Sequence, residues 1–253
     1  MLTWCRRGLW KPGRNAEVLA LARIFDRILE PMDLASIRDR GETTKVGGAQ
    51  RVPPVTLLDR SEILDRPAAR RTLGLSVDDP CVLLQLSADS PSQLHDVVDS
   101  ARRLVKETDP SASLFVPVHP LHPNVALDID GVITAARYPM SRYFRAFDYA
   151  ISTAGYNTFH ELVVASVPTL FVARETGSVD NQALRASTAP LAGFGSHITT
   201  LSRAGDARKD LAELADPRLR RRMRVAASEL IPNNGAHLAA TWLAQGHHTV
   251  TRR

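Results

Sequence analysis

The sequence predicts an α/β fold, a Rossmann-like doubly wound sheet of mostly parallel strands. From residue 81 onward, short apolar runs alternate with helical patterns, as a parallel sheet with crossover helices requires. These runs show little alternation of apolar and polar residues, which indicates strands covered on both faces. With 253 residues, 44% of them hydrophobic, the chain is long enough to bury one large core or two modest ones.

Each predicted strand is a short run rich in Val, Ile, Leu, Phe or Ala between turn residues, and each predicted helix carries apolar residues at helical spacing. The predicted strands lie near Cys81–Ser87, Ser113–His119, Val132–Arg137, Tyr149–Ser152, Thr169–Ala173 and Ser196–Leu201. The predicted helices lie near Ser92–Glu107, Met140–Phe147, Asn157–Ala165, Asn181–Thr188, Ala207–Ala215, Asp216–Leu230 and Gly235–Ala244.

The part of the chain before Cys81 does not show this alternation of strand and helix patterns. A helix is predicted over Glu17–Leu29, running into the strand-like sequence IFDRILEP. Residues 38–54, RDRGETTKVGGAQRVPP, are polar and Gly-rich and end in prolines, which is typical of a linker. Residues 66–75 predict a short basic helix capped by Gly74. We therefore predict an incomplete N-terminal domain with its linker over residues 1–50 and the α/β domain over residues 51–253.

Composition narrows the class of protein. The longest apolar runs fall far short of the roughly 20 residues that a membrane span requires. The N-terminus has no apolar core of a secretory signal. Cys5 and Cys81 lie far apart, which favours reduced thiols and a cytoplasmic protein. Although the net charge is +5, the arginine-rich run at residues 220–224 is typical of a solvated helix face, so we expect no nucleic-acid partner.

The segment from Phe147 to Gln182 contains the residues that suggest a ligand-binding site. An apolar strand ends in the small residues Ser152 to Gly155, and a helix follows directly. In a parallel sheet such a turn lies at the ligand-binding edge and presents helix N–H groups with partial positive charge. Gly155 permits close approach of a ligand and a positive φ. A diphosphate is the ligand that this turn suits best.

A carboxylate follows one helical turn later. Glu161 and Asn157 project from the same face of the predicted helix. A carboxylate in this place can accept two hydrogen bonds from the vicinal hydroxyls of a ribose set beyond the phosphates. Taken alone, Glu161 also fits a solvated helix residue, and its position beside the glycine turn favours ribose binding.

Gly155, Glu161, Pro168 and the run Asp180-Asn181-Gln182 resemble, at this spacing, the nucleotide-sugar signature in the C-terminal domain of the GT-B glycosyltransferases, family 28, the MurG-like enzymes. The resemblance covers about residues 50–245. It implies an inverting, metal-independent transferase without a cofactor, moving a hexose or N-acetylhexosamine from a UDP-sugar to an acceptor. It also implies an acceptor-side N-terminal domain.

The resemblance assigns roles to individual residues. Glu161 would bind the ribose, and uracil would pair with backbone near residues 137–141. Asn181 and Gln182, with Asp180 in the same run, would hold the transferred sugar. The residues that would surround the diphosphate are Gly155, Tyr156, Asn157 and Thr158 at the helix start and Ser87 to Ser90 in the first strand–helix loop.

Two departures from the family pattern concern catalysis. The first loop reads LSADS, without the glycines that the family usually carries there and with Asp89 as an acidic neighbour. The base that deprotonates the acceptor is expected from the N-terminal domain, of which residues 1–50 are a remnant, so no catalytic residue is assigned. The resemblance therefore implies a separate acceptor-binding domain or subunit. A lipid-linked acceptor would bring peripheral contact with the inner face of the membrane.

Alternatives remain at this stage. The chain could bind nucleotide-sugars without turnover, or act as a relative of the UDP-N-acetylglucosamine 2-epimerases, which share the fold. His119 and His122 suggest a metal pair, but no third ligand is spaced nearby. His160 suggests a base, although a packed histidine is the more ordinary interpretation. Trp4, Trp10 and the Arg6-Arg7 pair fit a lipid contact or the exposed core of an incomplete domain.

Overall fold

The computed structural model describes residues 1–86, 90–118, 129–173, 179–201 and 204–245. Within these ranges the chain forms two parallel sheets, one of three strands and one of six. The small sheet lies between Thr3 and Val52, and the large sheet between Cys81 and Ile198.

The N-terminal residues form more structure than the sequence predicts. Strands β1 (Thr3–Cys5), β2 (Arg27–Pro31) and β3 (Ala49–Val52) pair in parallel in that order. Helix α1 spans only Ala16–Leu19 and continues as a 3-10 helix over Ala20–Ile24. The predicted helix over Glu17–Leu29 is therefore too long by its last turn, because Ile28 and Leu29 are buried in β2.

The predicted linker over residues 38–54 is more ordered than its sequence suggests. It contains a 3-10 helix, Glu42–Lys45, and strand β3. Asp39, Glu42 and Thr43 are buried, although they are polar. Asp39 explains this local order, because its carboxylate accepts hydrogen bonds from the backbone N–H groups of Leu9 and Gly41 at 3.1 and 2.7 Å.

The large sheet confirms the predicted fold class. All of its strand pairs are parallel, and the strand order is β6-β5-β4-β7-β8-β9. The order reverses between β4 and β7, which is the switch point of a doubly wound sheet. The strands are β4 (Cys81–Gln85), β5 (Ser113–Val118), β6 (Val132–Ala136), β7 (Tyr149–Thr153), β8 (Thr169–Val172) and β9 (Gly195–Ile198).

Apart from α1, the helices agree with the sequence patterns with two exceptions. The predicted helix over Met140–Phe147 is a 3-10 helix over Met140–Ala146. The predicted helix over Asn181–Thr188 is two short helices, α5 (Gln182–Ala186) and α6 (Thr188–Leu191). Gly74 ends α2 with φ of 69°, as predicted. The others are α2 (Arg66–Leu73), α3 (Pro91–Thr108), α4 (Tyr156–Val164), α7 (Ala204–Ala215), α8 (Pro217–Ser228) and α9 (Ala236–Gln245), with 3-10 helices at Arg60–Glu62 and Met140–Ala146.

Apolar residues fill both faces of the large sheet. On one face, Phe159 of α4 packs against Phe171 of β8 and Phe194, with ring centroids 4.7 and 5.7 Å apart. On the other face, buried residues of α3 and α7 cover β4, β5 and β7. This two-sided cover is why the strands read as continuous apolar runs.

The last helix packs against the small sheet. Ala239 of α9 contacts Leu29 and Val52 in a small apolar cluster. The guanidinium of Arg27 lies 3.4 Å from the ring centroid of Trp242, a cation–π contact. The domain division at residues 50 and 51 stays a prediction, and that point lies within β3.

Over the described ranges, every helix is too short or too polar to cross a lipid bilayer.

Candidate functional site

The predicted ligand turn lies at the switch point of the large sheet. Gln85 at the end of β4 pairs with Ser152 near the end of β7, so the carboxyl ends of these two strands are level. The Ser152 hydroxyl donates a hydrogen bond to the Gln85 carbonyl at 3.3 Å. Ser152 is fully buried. The crevice beyond these two strand ends is where open α/β sheets bind ligands.

Gly155 lies in the predicted ligand turn, directly before α4. It is the N-cap of α4 with φ of −63°, so it does not use the positive φ that glycine permits. A Cβ added at Gly155 would meet no atom of the described residues within 4 Å. No side chain of the described ranges caps the first N–H groups of α4. Among the described residues, the first N–H groups of α4 therefore have no side-chain partner, as an anion-binding turn requires.

Tyr156 is fixed by its side chain, which leaves only its backbone for a ligand. The ring is buried, and its hydroxyl donates to the Met32 carbonyl at 3.0 Å and accepts from the Val55 N–H at 3.1 Å. Burial raises the pKa of the phenol to about 12. Both partners lie in residues 1–80, which precede the large sheet and form the N-terminal part of the chain. Tyr156 therefore ties the start of α4 to this part.

The residues predicted to face the nucleotide lie along one side of α4. Asn157 is exposed, and Thr158 and Glu161 are half-buried. Burial raises the pKa of the Glu161 carboxyl, and a hydrogen bond from the Leu57 N–H opposes this rise. A carboxylate that is partly desolvated and has one oxygen engaged is oriented for a further donor. Its ribose role stays a prediction.

The Asp180-Asn181-Gln182 run has structural partners of its own. The Asn181 side chain caps α5 by accepting from the Leu184 N–H at 3.1 Å, and its backbone N–H donates to the Leu9 carbonyl at 2.9 Å. Both Asp180 oxygens accept hydrogen bonds from Arg185, at 2.8 and 2.6 Å. The carboxylate of Asp180 is therefore engaged within the protein, and Gln182 opens α5 beside it.

The first strand–helix loop is only partly described. Ser90 caps α3 by accepting from the Gln93 N–H at 3.2 Å. Ser87 and Asp89 lie outside the described residues, as do His119 and His122 of the predicted metal pair. Elsewhere in the described ranges, no group of three or more His, Cys, Asp or Glu side chains is placed to hold a metal ion.

Sequence reasoning missed a buried ionic cluster beneath the turn. Arg185 is fully buried and donates from Nε to Asp33 Oδ2 at 2.7 Å and from Nη1 to the Ala154 carbonyl at 2.7 Å, in addition to its bonds to Asp180. Burial acts to raise the pKa of the Asp33 carboxyl, but the charge of Arg185 and the hydrogen bond from the Ala35 N–H outweigh it and hold this pKa below its usual value. No pattern in the sequence marks Arg185 as buried, because its neighbours at helical spacing, Asn181, Gln182 and Thr188, are polar.

His160 completes this cluster as a neutral residue. It is fully buried, and burial lowers its pKa to about 4. Its Nδ1 lies 2.7 Å from the Tyr156 carbonyl and its Nε2 is 3.4 Å from the Leu34 N–H. Nδ1 therefore carries the hydrogen. Because His160 is neutral, its Nε2 forms no salt bridge with Asp33 Oδ1, which lies 3.8 Å away. Its side chain is buried and cannot reach a substrate, so His160 is not a candidate base.

The N-terminal aromatic residues pack within the protein. Trp4 lies 6.4 Å from Trp10 and 5.3 Å from Phe25 between ring centroids. Arg6 is buried and pairs with Glu30 at 3.2 Å, so it is not a surface cation. Arg7 is exposed, with its guanidinium 5.6 Å from the Tyr156 ring centroid. Of these residues, Arg7 retains an exposed charge near α4.

No protein-family model and no curated protein matches this sequence. Solved structures do match its fold. MurG of Acinetobacter baumannii is 14% identical with a TM-score of 0.63, over 95% of this chain and 66% of that one. The glycotransferase of kitacinnamycin is 18% identical with a TM-score of 0.59, over 89% and 56%. The spinosyn rhamnosyltransferase SpnG complexed with thymidine diphosphate is 16% identical with a TM-score of 0.58, over 86% and 56%.

These likenesses concern the fold, because identities between 14% and 18% are too low to carry a function across. The chain spans about half to two thirds of the length of the structures that it matches.

Proposed function

We propose that this chain, which has the fold of the GT-B glycosyltransferases, binds a UDP-sugar and donates its hexose or N-acetylhexosamine to an acceptor. The observation that carries the proposal is the start of α4. Its N–H groups, which no side chain of the described residues caps, lie at the switch point, and a Cβ at Gly155 would meet no described atom within 4 Å beyond its chain neighbours. A diphosphate placed there would be held by backbone donors and by the positive end of the helix.

The proposed chemistry is a direct displacement. The acceptor oxygen forms a bond to the anomeric carbon while the bond from that carbon to the diphosphate breaks. UDP leaves with the electron pair, and the N–H groups of α4 stabilise the charge that develops on it. The acceptor proton passes to a base that an acceptor-side domain or subunit would supply. Contact with a membrane surface would follow from a lipid-linked acceptor.

Glu161 and the Asp180-Asn181-Gln182 run would complete the donor site. Glu161 lies on the same side of α4 as Asn157, one turn beyond the proposed phosphates, where a ribose would follow. Asn181 and Gln182 begin α5, after the carboxyl end of β8 and on the same edge of the sheet. This arrangement supports recognition of a nucleoside diphosphate with a sugar attached.

The test combines binding with turnover. The purified chain is titrated with UDP, thymidine diphosphate and GDP by calorimetry, and release of UDP from UDP-N-acetylglucosamine and UDP-glucose is then followed with time. Selective UDP binding together with UDP release supports a transferase with water or an added sugar as acceptor. Binding without release under any acceptor condition would instead favour a non-catalytic nucleotide-sugar-binding subunit. A folded chain that binds none of these nucleotides contradicts the proposal.

A further inference from the structure

The segment that follows β8 is held by N-terminal residues. The Lys11 N–H donates to the Val179 carbonyl at 2.8 Å, and Trp10 forms an antiparallel bridge with Asp180. The Arg38 guanidinium donates to the Leu184 carbonyl at 2.9 Å. It also donates to the hydroxyls of Ser187 and Thr188, at 3.0 and 2.7 Å. The N-terminal part of the chain therefore fixes this edge of the proposed donor site.

Arg185 extends this hold to the phosphate turn. One guanidinium contacts Asp33 from the N-terminal part, Asp180 after β8, and the Ala154 carbonyl in the turn. Arg185 and Asp33 are almost completely buried. Neutralising Asp33 would leave the buried guanidinium with Asp180 as its carboxylate partner, and losing a partner of a buried charge is strongly destabilising. We therefore expect the position of Ala154 to depend on Asp33.

We infer that Asp33 and Arg185 are positioning residues, which set the turn at Ala154–Gly155 relative to the Asp180–Gln182 run for binding of a nucleoside diphosphate. Neither side chain needs to touch the ligand. The inference rests on the proposed function and goes beyond it, because it makes donor binding depend on a residue of the N-terminal part of the chain.

A matched control lies at the opposite end of β7, the strand that leads into the turn at Ala154. Asp148 directly precedes β7 and is bound by Arg66 at 2.9 Å and by the fully buried Arg70 at 2.8 Å. Like Asp33, it is a buried carboxylate held by a buried arginine. Unlike Asp33, it lies at the amino end of the parallel strands, away from the proposed site. Asp148→Asn therefore reports the general effect of neutralising such a carboxylate.

The experiment measures binding of UDP and of uridine to the wild-type chain and to the Asp33→Asn, Asp148→Asn and Arg38→Gln variants. Titrations are made at a temperature where circular dichroism shows each variant folded. We expect Asp33→Asn to weaken UDP binding by about 3- to 30-fold, as residues that couple to a site without touching it do. Uridine binding should change less, because the cluster sets the phosphate turn. Asp148→Asn should bind both ligands as the wild type does.

Arg38→Gln keeps the test decisive if Asp33→Asn does not fold. Arg38 is half-buried and holds α5 without contacting Arg185, so its loss should be better tolerated. We expect Arg38→Gln also to weaken binding of UDP more than binding of uridine, and unchanged UDP binding by this variant would overturn the dependence of donor binding on the N-terminal part of the chain. Unchanged UDP binding by a folded Asp33→Asn variant overturns the inference and leaves the proposed function intact. Equal losses in Asp33→Asn and Asp148→Asn overturn it too. A folded wild-type chain that binds no UDP overturns both.

Discussion

The hydroxyl of Tyr156 donates a 3.0 Å hydrogen bond to the carbonyl of Met32, 124 residues earlier in the chain. The same oxygen accepts from the Val55 N–H, so one side chain of α4 satisfies two backbone groups of the N-terminal part. Tyr156 is the first residue of the helix whose N–H groups face the proposed phosphates. The helix start and the N-terminal part are thus fixed together.

Removing this hydroxyl should destabilise the protein. Tyr156→Phe leaves the Met32 carbonyl and the Val55 N–H without their partner, at a cost of about 1–2 kcal/mol in the free energy of unfolding. Urea denaturation measures the change. Tyr138→Phe serves as control, because Tyr138 is 73% exposed and its loss of a hydroxyl should change stability very little. Equal stability of the two variants would contradict the bridging role of Tyr156.

Gly155→Ala should separate stability from binding. The added methyl meets no described atom within 4 Å, and φ of −63° suits alanine. We expect the free energy of unfolding to change by less than about 1 kcal/mol, the usual range for a changed N-cap residue. A methyl in the path of a phosphate should nevertheless weaken UDP binding by about tenfold, or 1.4 kcal/mol.

The control for this substitution is Gly47→Ala, since Gly47 is exposed and also has open space around it. It should leave UDP binding unchanged. If Gly155→Ala binds UDP as tightly as Gly47→Ala does, the phosphates do not lie against the start of α4.

Buried neutral His160 should make stability depend on pH. Its pKa is about 4 in the folded protein and 6.5 when unperturbed, so the unfolded chain binds a proton first as the pH falls. Stability is therefore complete above about pH 6.5 and is lost as the pH falls toward 4. Between pH 7.5 and pH 5 this one group should cost about 2 kcal/mol. The charged groups that act on it are Asp33, Arg185 and Asp180.

Urea unfolding at the two pH values, for the wild type and His160→Gln, isolates this contribution. The variant should lose about 2 kcal/mol less than the wild type on acidification. His95→Gln serves as control and should lose as much as the wild type, because His95 is exposed on α3 and lies outside the buried cluster. An identical pH dependence in all three proteins would show that His160 is not held neutral.

The large sheet could be predicted because its strands are buried on both faces. Continuous apolar runs such as Cys81–Gln85 and Thr169–Val172 leave little choice of structure, and their turns carry glycine or proline. The small sheet could not be predicted in the same way. Strand β3 has the largely polar sequence AQRV. It is held in place by pairing with β2 and by packing against α9, which lies at the far end of the described chain. Such long-range contacts leave no local pattern in the sequence.

The same difference between local patterns and long-range contacts decides which residues of the candidate site could be predicted. The turn at Gly155, the helix after it and Glu161 were found from local spacing, because a strand–turn–helix unit is written in consecutive residues. The Arg185 cluster was not found, since Asp33 and Arg185 lie 152 residues apart. Asp180 belonged to a motif, but its pairing with Arg185 became evident only in the structure.

The most direct test of the account compares UDP with 2′-deoxyuridine diphosphate in calorimetric titrations of the wild type, Glu161→Ala and Glu213→Ala. Glu213 is a half-buried glutamate of α7, on a helix away from the proposed site, and serves as the matched control. If Glu161 binds the ribose hydroxyls, the wild type and Glu213→Ala prefer UDP. Glu161→Ala then loses about 1.5–3 kcal/mol of UDP binding and much of this preference. An unchanged preference in Glu161→Ala would contradict the ribose role, and a folded wild-type chain that binds neither nucleotide would contradict the account as a whole.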